Sequence, residues 1–267
     1  MHVFSLSERL RKETASLNKR KGREALRQFL IEGVRSVEAA VVGGAQLVRV
    51  LVNDRMLEDE RVARLLERTE ASVHSMTDKQ ERTITTVDTS PGCIAVAEYK
   101  SESLETILSL QSVIVLDGVQ DPGNVGTIIR TASWFGIDAV MLGSGSVDIY
   151  HPKTVRSTMG GLWDSCCVRV DDIADSLSVL KSRGFTLYGT FLDGVSLPTW
   201  QPVEKAAVVI GSEARGISNE VETLIDQRIS IPGQDHNRAT ESLNAATAAS
   251  ICMYAYASSM QAAGRVG

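Results

Sequence analysis

The sequence has few cysteines and no pattern that would join them. Its 267 residues include Cys93, Cys166, Cys167 and Cys252, with no CxxC spacing and no accompanying histidine pattern. Cys166 and Cys167 are neighbours in an apparent strand, so their side chains point to opposite faces. We therefore expect four reduced core thiols in a cytoplasmic protein, with neither a disulfide framework nor a metal site.

Long apolar runs are also missing. Residues 1–12 mix charged and apolar side chains and contain no apolar run of the signal-peptide kind. No segment approaches the roughly 20 uninterrupted apolar residues of a membrane span. With 43% hydrophobic and 23% charged residues, the composition is that of a soluble globular protein of one large or two ordinary domains. We expect no membrane contact.

The net charge of −5 is unevenly distributed along the chain. Residues 1–35 hold nine bases against four acids, which is +5 and leaves −10 for the remainder. The nine bases are Arg9, Arg11, Lys12, Lys19, Arg20, Lys21, Arg23, Arg27 and Arg35. A basic arm on an acidic body is consistent with a local contact to a polyanion such as RNA, and equally with a solvated helix face.

Two regions of different character follow one another along the chain. Residues 1–97 predict a small α/β unit, with helices over 5–42 and 57–70 and strands over 46–52 and 93–97. Residues 98–111 suit a linker or a bridging helix. From residue 112 onward, continuous apolar strands alternate with helices. The predicted strands are 113–116, 139–142, 166–170, 186–188, 207–210 and 229–231, and the predicted helices are 125–136, 152–160, 172–183, 218–226 and 241–260. This alternation predicts an open parallel sheet over 112–267, with ligands at the carboxyl ends of the strands.

Three loops that follow strands carry polar residues. In the first, Asn124 stands where a helix begins and would cap its first turn, while Arg130 lies off the buried stripe and would be a solvated charge. The glycines there suggest a phosphate loop, but their spacing fits neither G-x-G-x-x-G nor the Walker pattern. The second loop, 211–218, is compatible with a plain connection capped by Ser218 and with a backbone cradle at Gly211. The third leads into a helix of small residues that permits close approach of another helix or of a flat ligand.

Together and in this order, the three loops resemble the signature motifs of the SpoU-type (TrmH-like) RNA ribose methyltransferases of the SPOUT class. The motif residues are Asn124-Val125-Gly126 with Arg130-Thr131-Ala132, then Ile210-Gly211-Ser212-Glu213-Ala214-Arg215-Gly216-Ile217, then Ile229-Ser230-Ile231-Pro232 with Glu241-Ser242-Leu243-Asn244. The resemblance covers about 113–264. Residues 1–97 look like the substrate-binding domain that many members carry in front, which is similar to small RNA-binding ribosomal proteins.

The resemblance implies an α/β fold whose C-terminal domain contains a deep trefoil knot. It implies a homodimer through that domain, with motif residues near the partner's site, and S-adenosylmethionine bound in the knot. The residues that would border the adenosine are Thr190, Gly211, Ile231 and Leu243, with Ser242 and Asn244 nearer the methyl group. The implied reaction is methyl transfer to a ribose 2′-hydroxyl.

The implied catalytic residues are Asn124, Arg130, Glu213, Ser242 and Asn244. A guanidinium stays protonated under essentially all protein conditions. We therefore expect Arg130 to fix the neighbouring phosphate and to stabilise developing oxyanion charge rather than to accept a proton. Asn124 and Ser242 would orient the ribose, and Glu213 is the one carboxylate assigned a catalytic role.

The basic front domain favours ribosomal RNA of the 23S type as the substrate, with transfer RNA as the alternative. A second hypothesis is a catalytically silent RNA-binding protein of the same fold, although the intact motif residues argue against it. A third hypothesis, a dinucleotide-dependent oxidoreductase, fails because no predicted strand of this sequence is followed by the required glycine fingerprint. The loop 233–240 is longer than the family usually has, and Asp235, His236 and Arg238 are predicted to form a lid or an RNA contact.

Overall fold

The computed structural model describes residues 2–233 and 242–264. The chain divides into two compact units. Unit 1 comprises Met1–Ser101 and Tyr150–Trp163, and unit 2 comprises Glu102–Ile149 and Asp164–Gly267. Residues 150–163 therefore belong with the N-terminal unit, whereas we had expected them within a domain spanning 112–267. The boundaries at 97 and 112 stay a prediction.

Unit 1 is built on a five-stranded sheet in the order β1-β4-β3-β5-β2. Strand β4 runs parallel to β1 and β3, and β5 runs antiparallel to β3 and β2. Its strands are β1 (Val3–Ser5), β2 (Gln28–Glu32), β3 (Leu47–Asn53), β4 (Ser72–Met76) and β5 (Cys93–Glu98). Its helices are α1 (Glu8–Ser16), α2 (Arg20–Leu26), α3 (Val34–Val42), α4 (Glu60–Leu66), α5 (Asp78–Ile84) and, from the returning segment, α8 (Pro152–Thr158).

The predicted single helix over 5–42 is wrong, because β2 interrupts it. Arg27 takes the left-handed conformation with φ of +51° and ends α2. The chain then pairs with the distant strand β5, with Phe29 opposite Ala97 and Ile31 opposite Ala95. The four residues from Phe29 to Glu32 are all buried. Pairing with a distant strand has overridden the local preference for helix in this segment. The helical spacing of the apolar residues does not reveal that pairing.

Unit 2 contains a seven-stranded sheet in the order β10-β12-β9-β11-β6-β7-β8, and every neighbouring pair is parallel. The strands are β6 (Ser112–Asp117), β7 (Ala139–Leu142), β8 (Cys166–Arg169), β9 (Thr186–Phe191), β10 (Val195–Ser196), β11 (Ala206–Gly211) and β12 (Gln227–Ser230). The helices are α6 (Leu104–Leu108), α7 (Pro122–Phe135), α9 (Ile173–Ser182), α10 (Asn219–Glu222) and α11 (Ala245–Ala262). The predicted parallel α/β fold is confirmed, while the knot stays a prediction.

The central strands of unit 2 are buried along their whole length, which is why they read as uninterrupted apolar runs. The register aligns their carboxyl ends: Gly211 of β11 lies opposite Asp117 of β6, and Thr190 of β9 lies opposite Ile229 of β12. Loops that leave these ends therefore emerge at one edge of the sheet.

Helices α7 and α11 pack against each other. The predicted buried stripe of α7 is confirmed, since its four members are fully buried: Val125, Ile128, Ile129 and Ala132. Across the contact, the hydroxyl oxygens of Thr131 and Ser250 lie 3.3 Å apart. The small residues of α11 leave room for this approach, and Ala246 and Ala249 are buried.

Candidate functional site

A cavity of about 470 Å³ lies at the carboxyl ends of β9, β11 and β12 in unit 2. Its volume falls within the roughly 300–1,000 Å³ of small-molecule sites. Its wall includes the four residues expected to border the adenosine, Thr190, Gly211, Ile231 and Leu243. Two of the expected catalytic residues, Glu213 and Ser242, also line it. The structure therefore brings six of the nine candidate residues to one concave surface.

Gly211 makes a close backbone approach that no larger residue allows. A Cβ at this position would lie 2.2 Å from the carbonyl carbon of Gly216 and 2.3 Å from the amide nitrogen of Ile217. Ser212 and Gly216 exchange backbone hydrogen bonds of 3.0 and 2.8 Å, and Gly216 has a φ of +68°. The second loop is therefore a tight turn folded back on the end of β11, consistent with the cradle interpretation.

A hydrogen-bonded chain of three side chains joins the three loops. The Asn124 amide donates to Oε1 of Glu213, and the Asn244 amide donates to Oδ1 of Asn124 at 3.0 Å. Asn124 and Asn244 do not themselves line the cavity, whereas Glu213 does. The cavity wall is thus connected, through Glu213, to the first turns of α7 and α11.

Both ends of the Asn244 side chain are engaged. Its Oδ1 accepts from the backbone amides of Ala246 at 3.0 Å and Thr247 at 3.2 Å, which caps α11, while its Nδ2 donates to Asn124. An asparagine at this position satisfies amides that the helix leaves without a partner. The cap fixes the direction in which the Asn244 amide points.

The capping interpretation of Asn124 is wrong, because Asp121 caps α7. Oδ1 of Asp121 accepts from the backbone amide of Asn124 at 2.9 Å, and Pro122 occupies the first helical position. An acidic residue followed by proline is a recognisable helix start, so the sequence held the signal. The Asn124 side chain is left available for Glu213.

Ser218 also differs from the expected cap. It occupies the N-cap position of α10, but its side chain makes no capping hydrogen bond. Its backbone amide donates instead to Oδ2 of Asp117 at 2.7 Å, which ties the end of the second loop to the end of β6. Asp117 is a structural contributor that sequence reasoning did not single out.

Arg130 stands apart from the cavity. It is exposed on α7, on the same helix face as Thr127 and Trp134. It does not line the cavity, and it forms no hydrogen bond or ion pair with any residue in the described ranges 2–233 and 242–264. Within this chain, Arg130 is therefore not part of the assembled group of candidate residues.

One wall of the cavity was not predicted. Phe191 and Leu192 follow Thr190 at the end of β9 and line the cavity. The guanidinium carbon of Arg228 lies 3.8 Å from the centroid of the Phe191 ring, and Arg228 is held by Asp193 at 2.6 Å and Glu222 at 2.9 Å. The available signal was an aromatic residue at the carboxyl end of a predicted parallel strand.

Part of the third loop lies outside the described residues. The predicted lid or RNA contact at Asp235, His236 and Arg238, and the motif residue Glu241, fall in 234–241. Among the residues that are described, no cluster of three or more histidine, cysteine, aspartate or glutamate side chains is arranged to hold a metal ion. No helix in the same ranges combines the length and apolar character needed to cross a membrane.

The residues around the cavity fit S-adenosylmethionine. A flat adenosine requires apolar walls, which Ile210, Ile217 and Ile229 supply, and it requires backbone that can be approached closely. Gly211 provides the second feature, since a side chain there would collide with the loop backbone.

Comparisons with known proteins agree with this geometry. The model of the SpoU rRNA Methylase family matches residues 111–254, and that of the MRM3-like substrate binding domain matches residues 11–95. The chain is 33% identical over 246 residues to the 23S rRNA (guanosine(2553)-2′-O)-methyltransferase RlmP of Bacillus subtilis, covering 91% of this chain and 94% of that protein. It is 30% identical over 262 residues to the 23S rRNA (uridine(2479)-2′-O)-methyltransferase of Streptomyces viridochromogenes, covering 94% and 90%.

A solved structure extends the likeness to the whole fold. The crystal structure of the SpoU methyltransferase AviRb from Streptomyces viridochromogenes, in complex with the cofactor AdoMet, matches with a TM-score of 0.85 at 27% identity, covering 95% of this chain and 98% of that chain. The family model spans more than half of the sequence, and the two relatives align with nearly all of it. The chain therefore belongs to the SpoU rRNA methylase family.

Proposed function

We propose that this protein transfers a methyl group from S-adenosylmethionine to a ribose 2′-hydroxyl in RNA, with 23S-type ribosomal RNA as the substrate. The observation that carries the proposal is the position of Glu213, which lines the cavity and is hydrogen-bonded to Asn124 at the start of α7. Both curated relatives described above are named as 23S rRNA 2′-O-methyltransferases. The proposed ribosomal RNA substrate supports a cytoplasmic location, which is part of the proposal.

The cofactor-binding role is assigned to Thr190, Gly211, Ile231 and Leu243. All four line the cavity, and the Thr190 hydroxyl donates to the carbonyl of Val209 at 3.0 Å, which joins the ends of β9 and β11. When bound there, the cofactor supplies an electrophilic methyl group on sulfur. The protein's task is to align the 2′-hydroxyl oxygen with that methyl group and to take up the proton.

The catalytic roles follow from how each side chain is held. Glu213 is the carboxylate that lines the cavity, and the side-chain amide of Asn124 donates to its Oε1, which fixes the orientation of the carboxylate. Ser242 lines the same cavity and would orient the ribose. Asn244 acts as a positioning residue, because capping α11 and donating to Asn124 occupy its amide.

We further propose that the working form is a homodimer through unit 2 and that Arg130 serves the partner's cavity. Two observations support this assembly. Arg130 does not line the cavity of its own chain. On the paired helices α7 and α11, Trp134 is 84% exposed and Tyr254 is 61% exposed, so both large side chains are available to be buried against a second copy of the chain. In this role Arg130 would hold a phosphate bidentately and stabilise developing negative charge.

Tritiated methyl transfer from S-adenosylmethionine to total RNA, followed by nuclease mapping, tests the proposed function. We expect label on one nucleotide of large-subunit ribosomal RNA, resistant to alkaline cleavage at its 3′ side. Label only on transfer RNA would replace the substrate assignment. Calorimetric binding of S-adenosylmethionine without transfer to any RNA would indicate the catalytically silent alternative, and binding of NAD(P) in its place would overturn the family's chemistry for this chain.

A further inference from the structure

We propose that an arginine cluster on α3 and α4 of unit 1 binds the phosphate backbone of the RNA substrate. The inference rests on the RNA substrate proposed above and assigns a docking surface to it. The cluster comprises Arg61, Arg64 and Arg68, which line a cavity together with Glu38, and Arg35, whose charge acts on Glu38.

The cluster surrounds a concave surface. An open cavity of about 510 Å³ is lined by residues of both helices and of the turn after α4: Glu38, Val41, Val42, Arg61, Arg64, Leu65 and Arg68. The three arginines of the α4 region stand at i, i+3 and i+7, which places them on one face. The lining arginines all belong to the α4 region, while α3 contributes Glu38, Val41 and Val42, so these arginines line a concavity rather than a convex helix surface.

Positive charge is in excess at this surface. Arg61 is paired with Glu38, with Nε 2.6 Å from Oε1. The pKa of Glu38 lies below its ordinary value, first because Arg61 donates to it and further because Arg61, Arg35 and Arg64 are nearby charges. Arg35, Arg64 and Arg68 are exposed and form no ion pair with any described residue. Among the described lining residues, the three guanidinium groups of Arg61, Arg64 and Arg68 accompany the single carboxylate of Glu38, and Asp59 adds a second negative charge near Arg61.

The alternative to RNA binding is that these arginines form the solvated face of α4, opposite the buried residues Val62, Leu65 and Leu66. Two features favour an anion. The cavity has an apolar edge at Val42, which is 68% exposed, so a sugar can be seated beside the charges. Unpaired guanidinium groups also match phosphate oxygens in bidentate geometry.

The basic arm predicted over 1–35 is a weaker candidate. Arg11 is paired with Glu8 at 2.7 Å, and Arg20 with Glu24 at 2.6 Å. Arg23 is buried, and its guanidinium donates to the carbonyl of Leu17 at 2.8 Å. Three of the nine bases of that segment are therefore satisfied within the protein, whereas Arg64 and Arg68 of the α3–α4 cluster retain charge that a polyanion can neutralise.

The test compares the double variant R64Q/R68Q with R82Q in the full-length protein. Arg82 is an exposed arginine on α5. Helix α5 lies on the face of the sheet to which Leu30 points, because Ile84 of α5 packs in the same hydrophobic cluster as Leu30. Phe29, the neighbour of Leu30 in β2, points to the other face. There its ring centroid lies 6.1 Å from that of Trp163, which contacts Gly43 at the end of α3. The R82Q substitution therefore removes an arginine charge from the face of the sheet opposite to α3.

The probe is deproteinised 23S ribosomal RNA, titrated at several salt concentrations and used in methyl-transfer kinetics. For R64Q/R68Q we expect RNA affinity to fall about tenfold or more, and the slope of log K against log salt to become shallower by about 1.4 to 1.8, since each phosphate contact contributes about 0.7 to 0.9. The KM for RNA should rise while kcat and S-adenosylmethionine affinity stay unchanged. R82Q should match the wild type, and R64K/R68K should keep most of the affinity.

Wild-type affinity and salt slope in a folded R64Q/R68Q would overturn the cluster assignment, as would an equal loss in R82Q. If R64Q/R68Q melts at a lower temperature than the wild type, R64K/R68K and the single variants decide the matter in the same assays. Failure of the wild-type protein to methylate any RNA would instead refute the proposed function, so the two failures are distinguishable.

Discussion

Asn244 donates a 3.0 Å hydrogen bond to Asn124 across 120 positions of sequence. The bond connects the start of α11 to the start of α7, and Asn124 passes the connection on to Glu213 beside the cavity. Asn124, for which the sequence suggested a helix cap, and Asn244, which caps α11, thus connect the packed helices to the carboxylate of the site.

Replacing Asn244 in two ways should separate its cap from its link to Asn124. N244A loses both, so we expect about 1 kcal/mol of lost stability. N244D keeps the cap, because aspartate also accepts from the helix amides, but cannot donate to Asn124. Both variants should lower kcat by roughly ten- to a hundredfold through misplacement of Glu213. Thermal melting and methyl-transfer kinetics measure the two effects, and wild-type kcat in N244D would show that the link is dispensable.

Arg130→Ala should abolish methyl transfer while leaving S-adenosylmethionine affinity nearly unchanged in calorimetry. If Arg130 serves the partner's cavity, mixing R130A with the cofactor-defective G211A should restore activity. Random pairing makes half of the dimers mixed, each with one intact site, which gives about one quarter of wild-type activity. No recovery after the subunits have exchanged would place Arg130 in the site of its own chain, and loss of cofactor affinity in R130A would make it a cofactor residue.

Gly211→Ala should weaken S-adenosylmethionine binding by at least about fivefold, because overpacking typically costs about 1 kcal/mol or more and is relieved here only by shifting the 212–216 loop. The added Cβ has the backbone of Gly216 only 2.2 Å away and no flexible side chain to displace. Gly145→Ala is the matched control, since its Cβ would lie at an ordinary 3.5 Å from the Cα of Gly118. Equal calorimetric affinity of both variants would refute the cradle at Gly211.

Arg156 should be needed for the stability of unit 1. It pairs with Glu32, whose side chain is 1% exposed and also accepts from the Thr85 hydroxyl at 2.5 Å. Arg156→Met leaves a buried carboxylate without its cation, which we expect to cost about 3 kcal/mol. Adding Glu32→Gln should recover most of that loss in chemical denaturation. The exposed pair of Arg20 with Glu24 provides the control, because R20M should cost less than about 1 kcal/mol.

Equal destabilisation by R156M and R20M would show that burial of Glu32 carries no special cost.

The packing of residues 150–163 in unit 1 also bears on how truncated chains would behave. In unit 1 the ring centroid of Tyr150 lies 4.5 Å from that of Phe29 and 4.0 Å from that of Tyr99. A chain lacking residues 1–101 would expose Tyr150, so point variants are the sounder test of RNA binding.

Cys93 and Cys252 should resist alkylation in the folded protein at pH 8. Burial raises the pKa of each thiol to about 12, with the charges of Glu81 and Glu38 adding to the effect at Cys93. Their reactive thiolate forms are therefore scarce below about pH 11, since a thiol loses its proton near its pKa. Cys166, which is half-buried, should react first with iodoacetamide, as peptide mass spectrometry can show. Faster labelling of Cys93 than of Cys166 before unfolding would contradict the structure.

Local patterns along the chain were enough to predict the family and most of unit 2. Continuous apolar runs such as 139–142 became buried parallel strands, and the helix stripe from Val125 to Ala132 became the buried face of α7. These patterns are local, because a strand covered on both faces or a helix covered on one requires a fixed periodicity of apolar residues. The confirmed family membership rested on motif residues in order along the chain.

Features that depend on contacts between residues far apart in sequence appear only in the tertiary structure. Strand β2 forms because β5 pairs with it, and residues 150–163 pack in unit 1 although they stand between two strands of unit 2. Asn124 can reach Glu213 because Asp121 caps α7, and the arginines at 61, 64 and 68 share a cavity with Glu38 because α3 and α4 pack together. Each of these features depends on contacts between distant side chains, and the local periodicity of the sequence does not specify such contacts.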